Sequence, residues 1–421
     1  MLFSIFTPTN RPDYLLELYE SLLAQKYTNW EWIIVPNGGC RIPDVILENK
    51  KVIVREPGVP NSNIGALKRF ACSLASGDIL VEVDHDDMLL PNCLDELNYW
   101  FNRPENYGFV YSDNLVLSDN FIPFNSAFGW THDKITLNDY KQGSGLTSTE
   151  CIRMHSFEPS AASMAFIWYA PDHVRAWRKN VYWQIGGHNA EMDVLDDHEL
   201  LIRTYLHTPM AKTMNPLYIY RHTGHNTSMS SEKNAKIQKG TVELFHTYGF
   251  DLVQREADLR GLRKLDLGGG FNAPRGYETV DLVNGDITCD LNEPWPFEDG
   301  SVGVLRAHHI FEHLKNPLFT MQEAHRVLAD GGWLMVEVPS TDGRGAWCDP
   351  THVSYWNQVS FFYYTRAEQA GYIYNDTAKF QEFRLETRYP NPYFEANHIP
   401  CVTFWGRAIK SNERRPHLIQ V

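Results

Sequence analysis

The sequence has no long apolar run: nothing in it approaches the roughly 18 residues that a membrane-spanning helix needs, so no transmembrane segment is expected. It is also short of positive charge. A formal net charge of −14 opposes a broad phosphate-binding surface, which draws on clustered Lys and Arg to displace counterions, so nucleic acid is disfavoured as a partner. The one conspicuous basic cluster, Lys410 to Arg415, reads as a solvated tail. Paired cysteines are missing too. Cys40, Cys72, Cys93, Cys151, Cys289, Cys348 and Cys401 are odd in number and show no CxxC spacing, which excludes a disulfide framework or a zinc ribbon and points to reduced thiols in the cytoplasm. Met1 to Pro8 read as a β-strand rather than a signal peptide, in keeping with a soluble cytoplasmic protein. No internal repeat relates the two halves.

What is present is core material. Hydrophobic residues make up 43% of 421 positions, with 12 Trp, 21 Tyr and 22 Phe, enough for about two or three cores at roughly 150 residues per domain. The chain opens on alternating strands and helices. Leu2 to Thr7, Trp30 to Val35, Val52 to Val54 and Ile79 to Val83 read as short buried strands. Leu15, Leu18, Tyr19 and Leu22, and then Ile64, Leu67, Ala71 and Leu74, recur at helical spacing between them. That βαβ series predicts a mainly parallel sheet. From Asn114 to about Ser160 the periodicity is lost, which reads as a long functional loop. A helix carrying Ile237, Leu244, Phe245 and Tyr248 ends near Gly249. The charged stretch Gln254 to Arg263 then leads, as a linker, into a second alternating series of strands from Lys264 to Ile409.

The first cluster with chemistry is Asp84-His85-Asp86-Asp87, directly after the strand Ile79 to Val83. Carboxylates at the carboxyl end of a buried strand can face the crevice where open α/β sheets bind ligands. Packed so closely they repel one another unless a cation sits among them, and Mg²⁺ or Mn²⁺ with a diphosphate would supply the charge. The alternative is an acidic turn capping the helix at Pro91.

About the first 230 residues resemble glycosyltransferase family 2 of the GT-A fold. The likeness rests on Thr7-Pro8-Thr9-Asn10-Arg11, Leu22-Leu23-Ala24-Gln25, Asn63-Ile64-Gly65, Gly77-Asp78 and the DxD-type Asp84-His85-Asp86-Asp87. It implies a metal-dependent, inverting transfer from a UDP- or GDP-sugar to a hydroxyl. Thr7 would cradle the nucleotide, Asp84 would contact ribose and diphosphate, and Asp86 the metal. Where the family carries an acidic pair to read the base, this chain has Pro36-Asn37-Gly38; the Asn37 amide can still donate to and accept from a pyrimidine edge. Gly186-Gly187-His188-Asn189 followed by Leu195-Asp196-Asp197-His198-Glu199 resembles the family's GGF…ED motif, which makes Asp197 the expected base that takes the acceptor's proton. Arg221 to Ser228 resembles a segment that supplies a further metal ligand, either His222 or His225.

In the second series, Lys264-Leu265-Asp266-Leu267 opens into Gly268-Gly269-Gly270, where backbone can approach a ligand with no Cβ in the way. Phe271-Asn272-Ala273-Pro274 breaks the dinucleotide pattern. With Asp281 ending the next strand, Asp290-Leu291, His308 to Leu314 and Asp349-Pro350-Thr351-His352, residues from about 262 to 409 resemble class I S-adenosylmethionine-dependent methyltransferases of surface-polysaccharide synthesis. That likeness implies a Rossmann-like fold with Asp266, Gly268, Gly269 and Gly270 at the methionine end of the cofactor, Asp281 at its ribose, and Asp290 with Leu291 at its adenine. His352, or else His309, would take the proton of a sugar hydroxyl as it is methylated.

The expectation is an α/β chain with a GT-A domain over 1–258 and a class I methyltransferase domain over 259–421, acting on a glycan or glycolipid acceptor. Two other readings stay open: sugar transfer to another polymer such as modified DNA or protein, and a second domain that only binds its ligand.

Overall fold

The computed structural model describes residues 1–58, 63–117, 131–142, 145–167, 170–221, 231–375 and 377–411, with side chains described outside 138–149. The chain divides into two compact units, Met1–Leu252 and Val253–Val421, and the division falls inside the helix Ser231–Leu259. Among the described residues no helix is long and apolar enough to cross a membrane.

The first unit contains β1 (Phe3–Thr9), β2 (Trp30–Pro36), β3 (Val52–Val54), β4 (Ile79–Glu82), β5 (Met88–Leu89), β6 (Phe109–Tyr111), β7 (Asn114–Leu117), β8 (His132–Gln142), β9 (Gly145–Met154), β10 (Arg175–Arg178), β11 (Met210–Lys212) and β12 (Tyr218–Arg221). A seven-stranded sheet runs β11-β6-β10-β4-β1-β2-β3, with β10 antiparallel to both its neighbours. β1 is buried along its whole length, as a parallel strand covered on both faces should be. The helix Leu15–Leu23 buries Leu15, Leu18, Tyr19 and Leu22, the stripe that the sequence predicts. Phe6 of β1 pairs with Glu82 of β4 and Thr9 with Pro36 of β2, so the carboxyl ends of all three strands share one edge.

The segment expected to be a long irregular loop differs from its reading. A second, five-stranded sheet ordered β5-β12-β7-β9-β8 takes up β7, β8 and β9. Its hairpin of β8 and β9 pairs antiparallel from His132↔Met154 to Gln142↔Gly145. The reason is polarity: β8 is an edge strand whose His132, Asp133 and Lys134 are exposed, and its apolar alternation is limited to Ile135 and Leu137, which pack on the core, too short a pattern to announce a strand.

The supposed linker differs as well. The helix Ser231–Leu259 continues through most of it and closes at Gly261, whose φ of +62° lets Leu262 N–H reach back to Ala257 O at 3.0 Å. Glu256 near its end is buried and meets Arg407 Nη2 at 3.1 Å and Trp333 Nε1 at 3.3 Å.

The second unit contains β13 (Arg263–Leu267), β14 (Glu278–Asp281), β15 (Ile287–Thr288), β16 (Val302–His308), β17 (Leu328–Pro339), β18 (Phe380–Arg388) and β19 (Cys401–Ala408), in the order β15-β14-β13-β16-β17-β19-β18. β19 is antiparallel to both neighbours and the other pairings are parallel. Each unit has its own core, around Trp32, Ile34 and Leu97 in the first and Leu305, Val336 and Phe404 in the second. Both are α/β, in keeping with the GT-A and Rossmann-like arrangements expected from the sequence.

Candidate functional site

The first site forms where β4 runs out. Thr7, expected to cradle a nucleotide, is fully buried: its hydroxyl donates to Val83 O at 2.9 Å and accepts from Trp32 Nε1 at 3.0 Å. It braces the strand end and has no face left for a ligand. Asp87 is also structural, accepting from Tyr218 Oη at 2.8 Å and from Arg221 N–H at 2.7 Å. Asp86 pairs with Arg11 Nη2 at 3.1 Å, so the structure does not bring it into the cluster of candidate ligands. That cluster is Glu82, Asp84 and His173, whose ligand atoms all lie within 4.8 Å of one another. Desolvation, with Glu82 and Asp86 adding repulsion against the pull of Lys68, raises the Asp84 acid to about 7. Burial, with Arg175 nearby, holds the His173 imidazole at about 3, so it is neutral, and its Nε2 has no hydrogen-bond partner among the described residues. Asn37 is half-buried at the end of β2, beside Gly38 and Gly39, both at positive φ. His222 and His225 lie outside the described residues.

Deeper in, Lys68 reaches Glu82 Oε1 at 2.6 Å and Asp196 Oδ2 at 3.2 Å, and Arg175 Nη1 reaches Asp197 Oδ2 at 2.6 Å. The two cations treat neighbouring carboxylates differently. Burial dominates at Asp196 and raises its acid to about 6 despite Lys68. Burial also pushes Asp197 up, but Arg175 and Lys68 outweigh it and hold that carboxyl well below the usual range. Trp177 is buried and donates to Thr204 Oγ1 at 3.0 Å, a packing role.

The second site lies at the carboxyl ends of β13 and β16. Gly268 has φ +67°, and a Cβ there would stand 2.8 Å from Ile310; a Cβ on Gly269 would stand 2.2 Å from Asp266 Oδ2. At Gly270 a Cβ would meet only Asp281 Oδ2, at 4.0 Å, so the loop faces Asp281 across open space. Asp266 is buried. Its Oδ1 accepts from Arg306 Nη1 at 2.7 Å, its Oδ2 has no hydrogen-bond partner among the described residues, and burial raises its acid against the opposing pull of Arg306. Asp281 is half-exposed and accepts from Val283 N–H at 3.2 Å. Asp290 is exposed and accepts from Asn292 N–H at 2.9 Å. Leu291, expected at the adenine, instead buries its side chain in the core, and its carbonyl accepts from Trp295 Nε1 at 3.1 Å. His352 is 7% exposed with Nδ1 at 3.1 Å from Ala346 O. His309 has φ +55°; its Nδ1 lies 3.4 Å from Glu312 and its Nε2 3.9 Å from Glu337.

With that geometry in view, residues 4–157 match the family model of Glycosyl transferase family 2 and residues 262–336 match that of a methyltransferase domain. The chain joins a family 2 glycosyltransferase domain to a methyltransferase domain. It is 30% identical over 122 residues to a protein described as a colanic acid biosynthesis glycosyl transferase, WcaA of Escherichia coli (strain K12), a stretch that covers 27% of this chain and 43% of that relative's length. Similar solved structures include S. aureus TarS 1-349 in complex with UDP-GlcNAc, at 14% identity and TM-score 0.43 over 62% of this chain and 72% of that one. Another is the mannosyltransferase PcManGT from Pyrobaculum calidifontis in complex with GDP-Man and Mn²⁺, at 13% identity and TM-score 0.37 over 62% and 74%.

In the glycosyltransferase domain the sequence reading missed Glu82, His173, Lys68 and Arg175. Lys68 left a trace: it lies four residues after Ile64 and three before Ala71, on the apolar face of its helix, where an unpaired charge would be costly. In the methyltransferase domain it missed Arg306, which is the second residue before His308 on β16 and holds both Asp266 and His308, the latter at 2.8 Å.

Proposed function

We propose that the chain is a bifunctional glycan-building enzyme: its first domain transfers a sugar from a nucleotide donor to a hydroxyl with inversion, and its second methylates a sugar hydroxyl. The observation that carries the first half is the pairing of a cation-ready cluster, Glu82, Asp84 and His173, with the separate ion pair of Asp197 and Arg175. A neutral imidazole nitrogen with no hydrogen-bond partner among the described residues, beside two carboxylates, fits Mn²⁺ or Mg²⁺, which would offset the charge of a departing diphosphate. Asp197, held ionised, stands ready to accept the proton of the incoming hydroxyl, and Arg175 fixes its direction. The likeness to a protein described for colanic acid biosynthesis supports a polysaccharide-type acceptor. Seven cysteines, odd in number and without CxxC spacing, support a cytoplasmic setting.

For the second half, the glycine turn that faces Asp281, with the bare Oδ2 of Asp266 beneath it, fits S-adenosylmethionine: a cationic amino end toward Asp266 and ribose hydroxyls toward Asp281. The cofactor supplies an electrophilic methyl. His309, set between Glu312 and Glu337, takes the proton of the sugar hydroxyl as its oxygen attacks. The test is transfer of labelled sugar from a panel of UDP- and GDP-sugars, with Mn²⁺, to oligosaccharide, DNA and protein acceptors. Label in the oligosaccharide is the expected result. Label in DNA or protein would move the acceptor class, and hydrolysis without transfer to any acceptor would overturn the reading.

A further inference from the structure

The Asp-Pro-Thr-His segment, Asp349 to His352, is hydrogen-bonded to the turn after β16 through Thr351 and His313. Glu312, His313 and His352 place ligand atoms within 4.8 Å of one another. The two segments that supply them are tied together, because Val353 and Ser354 N–H donate to Glu312 O at 2.8 and 3.0 Å and Ser354 Oγ donates to Phe311 O at 2.8 Å. Glu312 is only 3% exposed, yet its Oε2 has no hydrogen-bond partner among the described residues. A buried carboxylate oxygen left bare costs free energy unless something positive reaches it.

Both histidines are oriented as metal ligands are. Thr351 Oγ1 donates to Asp349 Oδ1 at 2.6 Å, so its proton is committed there and its oxygen can only accept from His313. His313 Nδ1 lies 3.1 Å from that hydroxyl and 3.2 Å from Thr351 O, both acceptors, so Nδ1 carries the proton and Nε2 keeps its lone pair. His352 Nδ1 meets Ala346 O at 3.1 Å, with the same consequence. A ligating imidazole typically donates its other N–H to a carbonyl or carboxylate, which fixes tautomer and orientation.

We infer that Glu312, His313 and His352 form a cation site in the methyltransferase unit, taking a divalent ion of the zinc class. Two imidazole nitrogens and one carboxylate favour such a borderline ion over Mg²⁺ or Ca²⁺, and leave a coordination position open. Asp349 and Thr351 act on it indirectly, by setting the tautomer of His313. The site stands close to the glycine turn, since Ile310, two residues before Glu312, is the side chain that Gly268 abuts. On the proposed methyl-transfer reading the open position takes the acceptor hydroxyl and His309 receives its proton; the binding of the ion itself does not depend on that reading.

The experiment uses the full chain, stripped with chelator and titrated with Zn²⁺ and with Co²⁺, following bound metal per chain and the visible absorption of nitrogen-ligated cobalt. Wild type and an Asp84→Asn variant should show this absorption. His313→Gln and His352→Gln should lose it together with one bound ion, and Thr351→Val should bind about tenfold more weakly. Calorimetry with S-adenosylmethionine on the same variants shows whether the unit is folded: retained binding alongside lost cobalt absorption supports the site, whereas cobalt absorption unchanged in both histidine variants overturns it. If wild type takes up cobalt but fails to bind S-adenosylmethionine, the methyl-transfer reading falls and the ion site stands. If wild type shows no nitrogen-ligated cobalt at saturation, the ion site falls.

Discussion

Asp197 meets the Arg175 guanidinium at 2.6 Å, and the contact keeps it charged where its neighbour Asp196 is pushed up to about 6. A carboxylate held this way is always ready to receive a proton but weakly basic, so its contribution comes from position more than from affinity. Asp197→Asn should therefore lower kcat for sugar transfer by about 10²–10⁴-fold with donor KM little changed, read from initial rates. A change confined to KM would make Asp197 a binding group. The buried imidazoles of the same unit set a pH response. Burial depresses His198 to about 4, against the opposing pull of Asp197, and puts His188 well below its usual value of 6.5. Below about pH 6.5 the unfolded chain gains protons that these imidazoles refuse, so their contribution to stability is full above that point and declines on acidification, while the raised Asp84 and Asp196 acids, which take up protons in the folded chain first, contribute in the opposite direction. The contribution of His198, read by urea unfolding as the difference between wild type and His198→Gln, should fall by about 1–2 kcal/mol between pH 7 and pH 5. A difference that does not change with pH would show that His198 takes no part in the response.

Elements differ in how openly the sequence announces them. The central strands could be read because they are continuous apolar runs, and the helix Leu15–Leu23 because its buried face repeats at three and four residues. The hairpin of β8 and β9 could not, because its paired backbone is mostly polar in sequence and only short apolar stretches, such as Ile135 with Leu137, mark its core face. Site residues divide in the same way. Asp84, Asp266 and the glycine turn stand at strand ends that the pattern locates, whereas His173 and Arg175 reach Asp84 and Asp197 only because β10 runs antiparallel beside β4, a pairing no local rule implies. Thr7 shows the opposite error: its position was read correctly, but its hydroxyl is spent on Val83 and Trp32. The turn after β13 offers the sharpest test at this scale. Gly268→Ala adds a Cβ at positive φ, 2.8 Å from Ile310, so it strains the turn by about 1–2 kcal/mol and moves the loop. S-adenosylmethionine affinity by calorimetry should fall at least about tenfold, since roughly 1.4 kcal/mol is tenfold in a binding constant. Unchanged affinity would mean the cofactor does not lie on this turn.

Two units with separate cores let the two activities be removed one at a time. Asp84→Asn should abolish sugar transfer and leave methylation of a ready-made acceptor intact. Asp281→Ala, which removes a half-exposed carboxylate that accepts from Val283 N–H, should weaken S-adenosylmethionine binding and leave sugar transfer intact. Paired assays on both variants decide the matter, and loss of both activities in either variant would contradict two independent sites. What joining them achieves is then a question of order. A covalent link raises the effective concentration of one domain's product at the other without any new contact. If the methyl group occupies the hydroxyl that the next sugar would take, methylation ends the glycan. Withholding S-adenosylmethionine should then lengthen the products, and supplying it to the Asp281→Ala variant should shorten them less than in wild type. A length distribution indifferent to the cofactor would show that the methyl group decorates the glycan without terminating it.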